Sequence, residues 1–158
     1  MNSMDINYEI TSYFTQIVGE NCYHQQIGND RSLFLRFGKN IQIESALGSH
    51  VHGMWEIGTY RGTWRVICDG TIVCGSKNAV DSIEDLRNAI NQVNFGQFKA
   101  IHKLSEFDVR FEFSNKVFVD ILCAFGDDDE LLHTFFPNDI VISFSIANGW
   151  AIERSDKR

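Results

Sequence analysis

Proline is nearly absent from this chain of 158 residues, and the single one, Pro137, marks no linker, so nothing in the sequence divides it into separate domains. No window approaches the roughly 18 consecutive apolar residues that a membrane span needs. The opening Met1-Asn2-Ser3-Met4-Asp5 has neither the basic run nor the apolar stretch of a secretory signal. A soluble, cytoplasmic chain is the expectation. The four cysteines, Cys22, Cys68, Cys74 and Cys123, form no C-x-x-C pair, and a chain of this length needs no disulfide framework, so reduced thiols are expected. Motifs of catalysis are missing too. There is no G-x-S-x-G elbow, no H-E-x-x-H pair and no phosphate-cradling glycine loop, since Gly53, Gly58 and Gly62 match no nucleotide fingerprint. The acidic residues are scattered and give no two carboxylates a reason to share a cleft. No catalytic residue and no cofactor is therefore nominated, and the chain is read as not an enzyme. Positive charge is scarce: 14 basic residues face 21 acidic ones, for a net charge of −7. This disfavours nucleic acid, whose binding depends on Lys and Arg displacing counterions.

What is present is an ordinary globular composition, 44% apolar and 22% charged, on a chain long enough to bury roughly 70% of its unfolded surface. In residues 5–18, Ile6, Ile10, Tyr13, Phe14, Ile17 and Val18 recur at spacings of three and four, predicting a helix that ends at Gly19. Residues 81–93 repeat the pattern with Ile83, Leu86, Ala89, Ile90 and Val93, with Asp81 and Glu84 placed as a capping box. Alternating segments follow each helix. Leu33, Leu35 and Phe37 precede a Gly38-Lys39-Asn40 turn, as Val109, Phe111 and Phe113 precede Ser114-Asn115-Lys116. Asp69-Gly70 and Asn148-Gly149, strong signals for two-residue hairpins, then align Ile67 to Ser76 with Ile146 to Ser155. The reading is an α+β fold made of a duplicated helix-then-antiparallel-strands unit. Its repeats, about 5–76 and 81–155, would pack as one pseudo-two-fold domain. The charge is uneven between the halves: residues 1–76 carry 5 basic and 7 acidic residues, residues 77–158 carry 9 and 14. A basic partner would be drawn to the second half first.

Few residues suggest chemistry. His50-x-His52 could offer two imidazoles to a metal, but two ligands fall short of the three or four that zinc takes, so no metal is expected. His24, His102 and His133 read as surface residues. With Asp69-Gly70 as the turn, Cys68 would lie opposite Thr71 and Cys74 opposite Arg65, on different rungs and opposite faces, which forbids a bond between them. The run Asp127, Asp128, Asp129, Glu130 lacks the alternating register of a calcium loop. It reads either as a solvated loop capping a short helical stretch over 131–136 or as a contact surface for a basic partner.

The layout as a whole resembles the small immunity proteins of bacterial contact-dependent growth inhibition and related polymorphic toxin systems. The resemblance rests on the short acidic chain, the helix-then-strands order, the segment Trp55-Glu56-Ile57-Gly58-Thr59-Tyr60-Arg61-Gly62-Thr63-Trp64-Arg65-Val66-Ile67, and the block Asp108-Val109-Arg110-Phe111-Glu112-Phe113 before a final hairpin. It implies a cytoplasmic protein that binds one cognate toxin domain, often a nuclease and expected to be basic, and blocks it. Such proteins carry no invariant functional motif, so the resemblance transfers no binding residue. The residues picked out here as partner-binding are Asp127, Asp128, Asp129, Glu130, Trp55 and Tyr60. The competing expectation is a small-ligand or regulatory module with a pocket lined by Trp55, Trp64 and Tyr60. An enzyme without a recognised motif ranks last.

Overall fold

The computed structural model describes residues 3–46, 48–60 and 62–155, with the backbone alone at 43, 45 and 50. Two short helices and eleven strands are formed by these residues: α1 (Tyr8–Thr15), β1 (Cys22–Ile27), β2 (Leu33–Ser45), β3 (Gly48–Thr59), β4 (Thr63–Cys68), β5 (Thr71–Gly75), α2 (Ile83–Asn91), β6 (Phe98–Lys103), β7 (Val109–Phe113), β8 (Val117–Leu122), β9 (Glu130–Phe136), β10 (Ile140–Ser145) and β11 (Gly149–Arg154). The strands build two antiparallel sheets, ordered β1-β2-β3-β9-β10-β11 and β5-β4-β8-β7-β6. The starts of β1 and β6 touch through the Asn21–Gln97 bridge.

Both helices are shorter than their apolar stripes suggest. Asn7 caps α1 by accepting from the Ile10 N–H at 2.9 Å, and the segment before it is held extended by Met4 N–H donating to the Glu106 carbonyl at 2.5 Å. Beyond Thr15 the chain tightens into turns that end at Gly19 in the left-handed region. In α2 the capping contact comes one residue later than expected: Ser82 N–H donates to Asp85 Oδ2 at 3.2 Å, while Glu84 pairs with Arg87. Ile10, Phe14, Leu86 and Ile90 are the helices' buried residues.

The fold is mostly β, which overturns the expected α+β fold built of a duplicated helix-then-strands unit. The alignment of the Asp69-Gly70 hairpin with the Asn148-Gly149 hairpin fails in the strand order. It is β4 that crosses to pair with β8, whereas β10 stays between β9 and β11, and β9 makes the crossing to β3. Each sheet therefore takes strands from both halves, and the halves supply five and six. Residues 131–136, expected to be helical, lie in β9. Their alternation of Leu132, Thr134 and Phe136 with Leu131, His133 and Phe135 has a period of two, and ladders on both sides use it. Nor do Gly38, Lys39 and Asn40 turn the chain. They bulge β2, with Gly38 at φ 76°, and the strand continues to Ser45.

Apolar residues from both sheets meet in one core. Phe37 of β2 is sealed off from solvent and stacks on Phe113 of β7 with centroids 6.1 Å apart, and Phe98 lies edge-on to both rings. From α1, Phe14 reaches Phe111 of one sheet and Phe136 and Trp150 of the other.

At Asp69-Gly70 the turn is as expected, with φ 49° and 79° and Cys68 opposite Thr71. The register slips beyond Ile72, however, so Cys74 pairs with Val66 instead of Arg65 and is buried. The bulge turns Cys74 onto the core face that Trp64 and Val66 share, which corrects the expectation that Cys68 and Cys74 lie on opposite faces. All four thiols are free. Burial pushes the Cys22 thiol up to about 12 and the Cys74 thiol up to about 11. Native protein at pH 8 is expected to lose Cys68 to iodoacetamide well before Cys22 or Cys74, as read by peptide mass mapping. Equal rates at the three sites would contradict their burial.

Candidate functional site

Among the residues picked out in the sequence, Tyr60 and the acidic run come together, because the strand that crosses between sheets brings them there. Tyr60 follows β3, and its N–H donates at 3.2 Å to the carbonyl of Leu131, next to Glu130 at the start of β9. Its side chain is 50% exposed. Asp127, Asp128 and Asp129 form the bend that leads from β8 into β9, and Asp127 and Asp128 are exposed. With a strand and not a helix following, the expected helix cap falls away, and a solvated loop and a contact surface for a basic partner both remain as readings of the run.

More carboxylates border the same connection. Asp108 Oδ1 accepts from the Cys123 N–H at 2.8 Å, just before the bend, and its Oδ2 accepts from the Ser105 hydroxyl. Glu106 lies two residues away, where Lys103 Nζ bridges it at 3.1 Å to Asp5 at 2.5 Å. The bridge spends the lysine on two acids at once and leaves the local balance negative. Hydrogen bonds from Lys103 and Ser3 hold the Asp5 carboxyl below the usual range. Acidic groups thus stand at both ends of the β8–β9 connection, Asp5, Glu106 and Asp108 about its start and Asp127 to Glu130 along its second part, and together they make up the acidic band; Tyr60 meets the connection's far end.

Trp55 is not part of this surface. It sits on β3 opposite Phe37, packed partly against the core, and its ring edge would meet a Cβ placed on Gly38 at 3.0 Å. Trp64 is 1% exposed and donates its indole N–H to the Arg31 carbonyl at 2.7 Å. Trp55, Trp64 and Tyr60 thus occupy different environments and enclose no common pocket. His52 stacks on Phe135 at 5.4 Å, and the side chain of His50 lies outside the described residues.

His133, expected at the surface, is a half-hidden part of the outer face of the first sheet, with its side chain 12% exposed. It occupies the space left open by Gly58, where a Cβ would come within 2.5 Å of Nε2. Phe34 and Phe135 flank the ring. Nδ1 lies 3.3 Å from Glu130 Oε2 but is not aligned as a hydrogen bond. Nearby, Glu56 is nearly buried and accepts from Arg36 Nε at 3.0 Å and from Gly53 N–H at 2.9 Å. Burial lowers the His133 pKa below the ordinary 6.5, and Glu56 opposes it only in part. The unfolded chain therefore binds this proton more readily than the folded one. The neutral ring's contribution to stability is full above about pH 6.5 and is lost as pH falls from there through the lower, folded value. His24, lowered by burial and by Arg36, acts with the same sign. Substituting His133→Gln is expected to flatten the fall in urea midpoint between pH 7 and pH 5. A fall as steep as in the native protein would show that the ring does not drive it.

No protein-family model, no curated protein and no solved structure matches the chain.

Proposed function

We propose that this protein is an immunity protein that binds and neutralises a cognate basic toxin domain, with the acidic band and Tyr60 as the contact surface. The observation that carries the reading is the hydrogen bond of Tyr60 to Leu131 across the β3–β9 seam, which sets the exposed tyrosine next to the end of the run 127–130. An exposed tyrosine beside a charged rim is the composition of many protein-binding patches: the aromatic supplies buried area, and the charges supply encounter rate and register. A nuclease has a positive groove for its polyanionic substrate, and an acidic band can occupy that groove. Carrying the band on strand ends and a short connection, instead of a long loop, keeps its ordering cost on binding low.

The test is to find a toxin reading frame adjoining this gene and to assay its toxin domain with this protein. Equimolar protein is expected to abolish the domain's activity, and Tyr60→Ala is expected to weaken binding by about tenfold, roughly 1.4 kcal/mol, as for an aromatic side chain that becomes buried in the contact. Full activity in the presence of the native protein would refute the proposal. An unchanged affinity for Tyr60→Ala would place the contact elsewhere.

A further inference from the structure

The outer face of the second sheet has the opposite electrostatic character. Asp120 of β8 points outward, yet it is 0% exposed, because two arginines from the neighbouring strands close over it. Arg65 of β4 donates Nε–H to Oδ2 at 2.7 Å, and Arg110 of β7 donates Nε–H to Oδ1 at 2.6 Å and Nη2–H to Oδ2 at 3.0 Å. One carboxylate therefore holds two guanidiniums, leaving a net positive charge. Each guanidinium has five N–H donors. Asp120 takes one from Arg65 and two from Arg110, and among the described residues no other hydrogen bond to either side chain is formed. The arginine side chains remain 37% and 28% exposed.

Apolar groups surround the pair. Arg110 lies over the Phe118 ring at 5.0 Å, Ile67 pairs across with Phe118, and Ile72 beyond it is 57% exposed. The central strands β4 and β8 thus carry apolar side chains on both faces, a pattern of strands covered on both sides. The next acid along, Glu112, is already engaged by His102 at 2.9 Å and Lys99 at 3.7 Å.

We infer that Arg65 and Arg110, fixed by the buried Asp120, form a preorganised site for a carboxylate carried on an apolar group, such as an acidic side chain or chain end of a protein partner. A planar carboxylate matches the forked N–H edges, and Ile67 and Phe118 would cover the carbon skeleton behind it. The rigid anchor removes the ordering cost that free surface arginines would incur. The site does not depend on the proposed toxin.

N-acetylphenylalanine is the probe, followed by NMR on the Arg side-chain Nε–H signals and the β4, β7 and β8 amides. Binding is expected at roughly millimolar concentration, as suits one charge-assisted pair on an open face. N-acetylphenylalaninamide, which lacks the charge, should leave the spectrum unchanged. Arg65→Lys keeps the charge but removes the fork, and it is expected to weaken binding by about tenfold with the fold retained. Phe118→Leu should weaken the probe without restoring binding of the amide. Absence of perturbation by the probe, or perturbations that persist equally in Arg65→Lys, would overturn the site. Equal binding of inorganic phosphate would overturn its assignment to a carboxylate.

Discussion

Replacing Asp120 with alanine is expected to cost about 3 kcal/mol of unfolding free energy, toward the lower end of the range for breaking a buried ion pair. The lower end applies because Arg65 and Arg110 are partly exposed and would regain water once released. The carboxylate is the group that cannot be left alone: at 0% exposure its charge is compensated, among the described residues, by three N–H donors. Burial acts to raise its pKa, but the hydrogen bonds from Arg110 and Arg65 outweigh burial and hold it below the ordinary 3.8. The folded state thus binds this proton less readily than the unfolded chain. The contribution is present above about pH 3.8 and is lost as pH falls through the folded value. Urea denaturation at pH 7 measures the main effect. A loss under 1 kcal/mol would show that the two arginines contribute little to joining β4, β8 and β7. By contrast the Lys116–Asp69 pair, 3.9 Å long with both side chains about four-fifths exposed, should contribute almost nothing.

Phe37→Ala is the other large effect, expected to destabilise by about 3–5 kcal/mol. The ring is 0% exposed and lies where the first sheet meets β6 and β7, stacked on Phe113 and edge-on to Phe98. The next residue is the bulged Gly38, at positive φ, where a Cβ would come within about 3 Å of the Trp55 ring, so the backbone has little room to collapse into the hole. Phe37→Leu should recover more than half of the loss, because it restores most of the volume. A midpoint for Phe37→Ala within about 1 kcal/mol of native would mean that the two sheets do not depend on this contact.

The elements most legible in the sequence are those whose signal is local. Asp69-Gly70 needs two residues at positive φ, and the chain supplies them there. The apolar stripe Ile83, Leu86, Ile90 does mark α2. Strand pairing is different, because it joins residues far apart in the chain and local pattern does not specify it. Nothing in the segment after Asp127 announces that Leu131 to Phe136 pairs with β3, more than seventy residues earlier, and a six-residue apolar stretch reads equally as a helix turn or a strand. Bulges at Gly38 and near Val73 shift registers by one residue and so reverse which face a side chain takes. That is why Cys74 is buried beside Val66. The candidate site was half legible. The acidic run and Tyr60 stand out by composition, but their meeting depends on the β3–β9 seam. Asp120 with its two arginines was hidden altogether, since three charged residues on three strands share no spacing. One signal is in the chain: Asp120 alone interrupts the otherwise apolar β8.

The proposed docking of the acidic band on a basic toxin domain is tested by association kinetics with such a domain. Changing Asp128→Asn, Asp129→Asn and Glu130→Gln together removes three charges at nearly constant size. Surface charges act over about 8 Å at physiological salt and chiefly set the encounter rate. The triple variant is expected to keep its thermal midpoint, to associate at least tenfold more slowly at low salt, and to lose most of its dependence on salt. Association and dissociation rates equal to those of the native protein at low salt would rule the docking out.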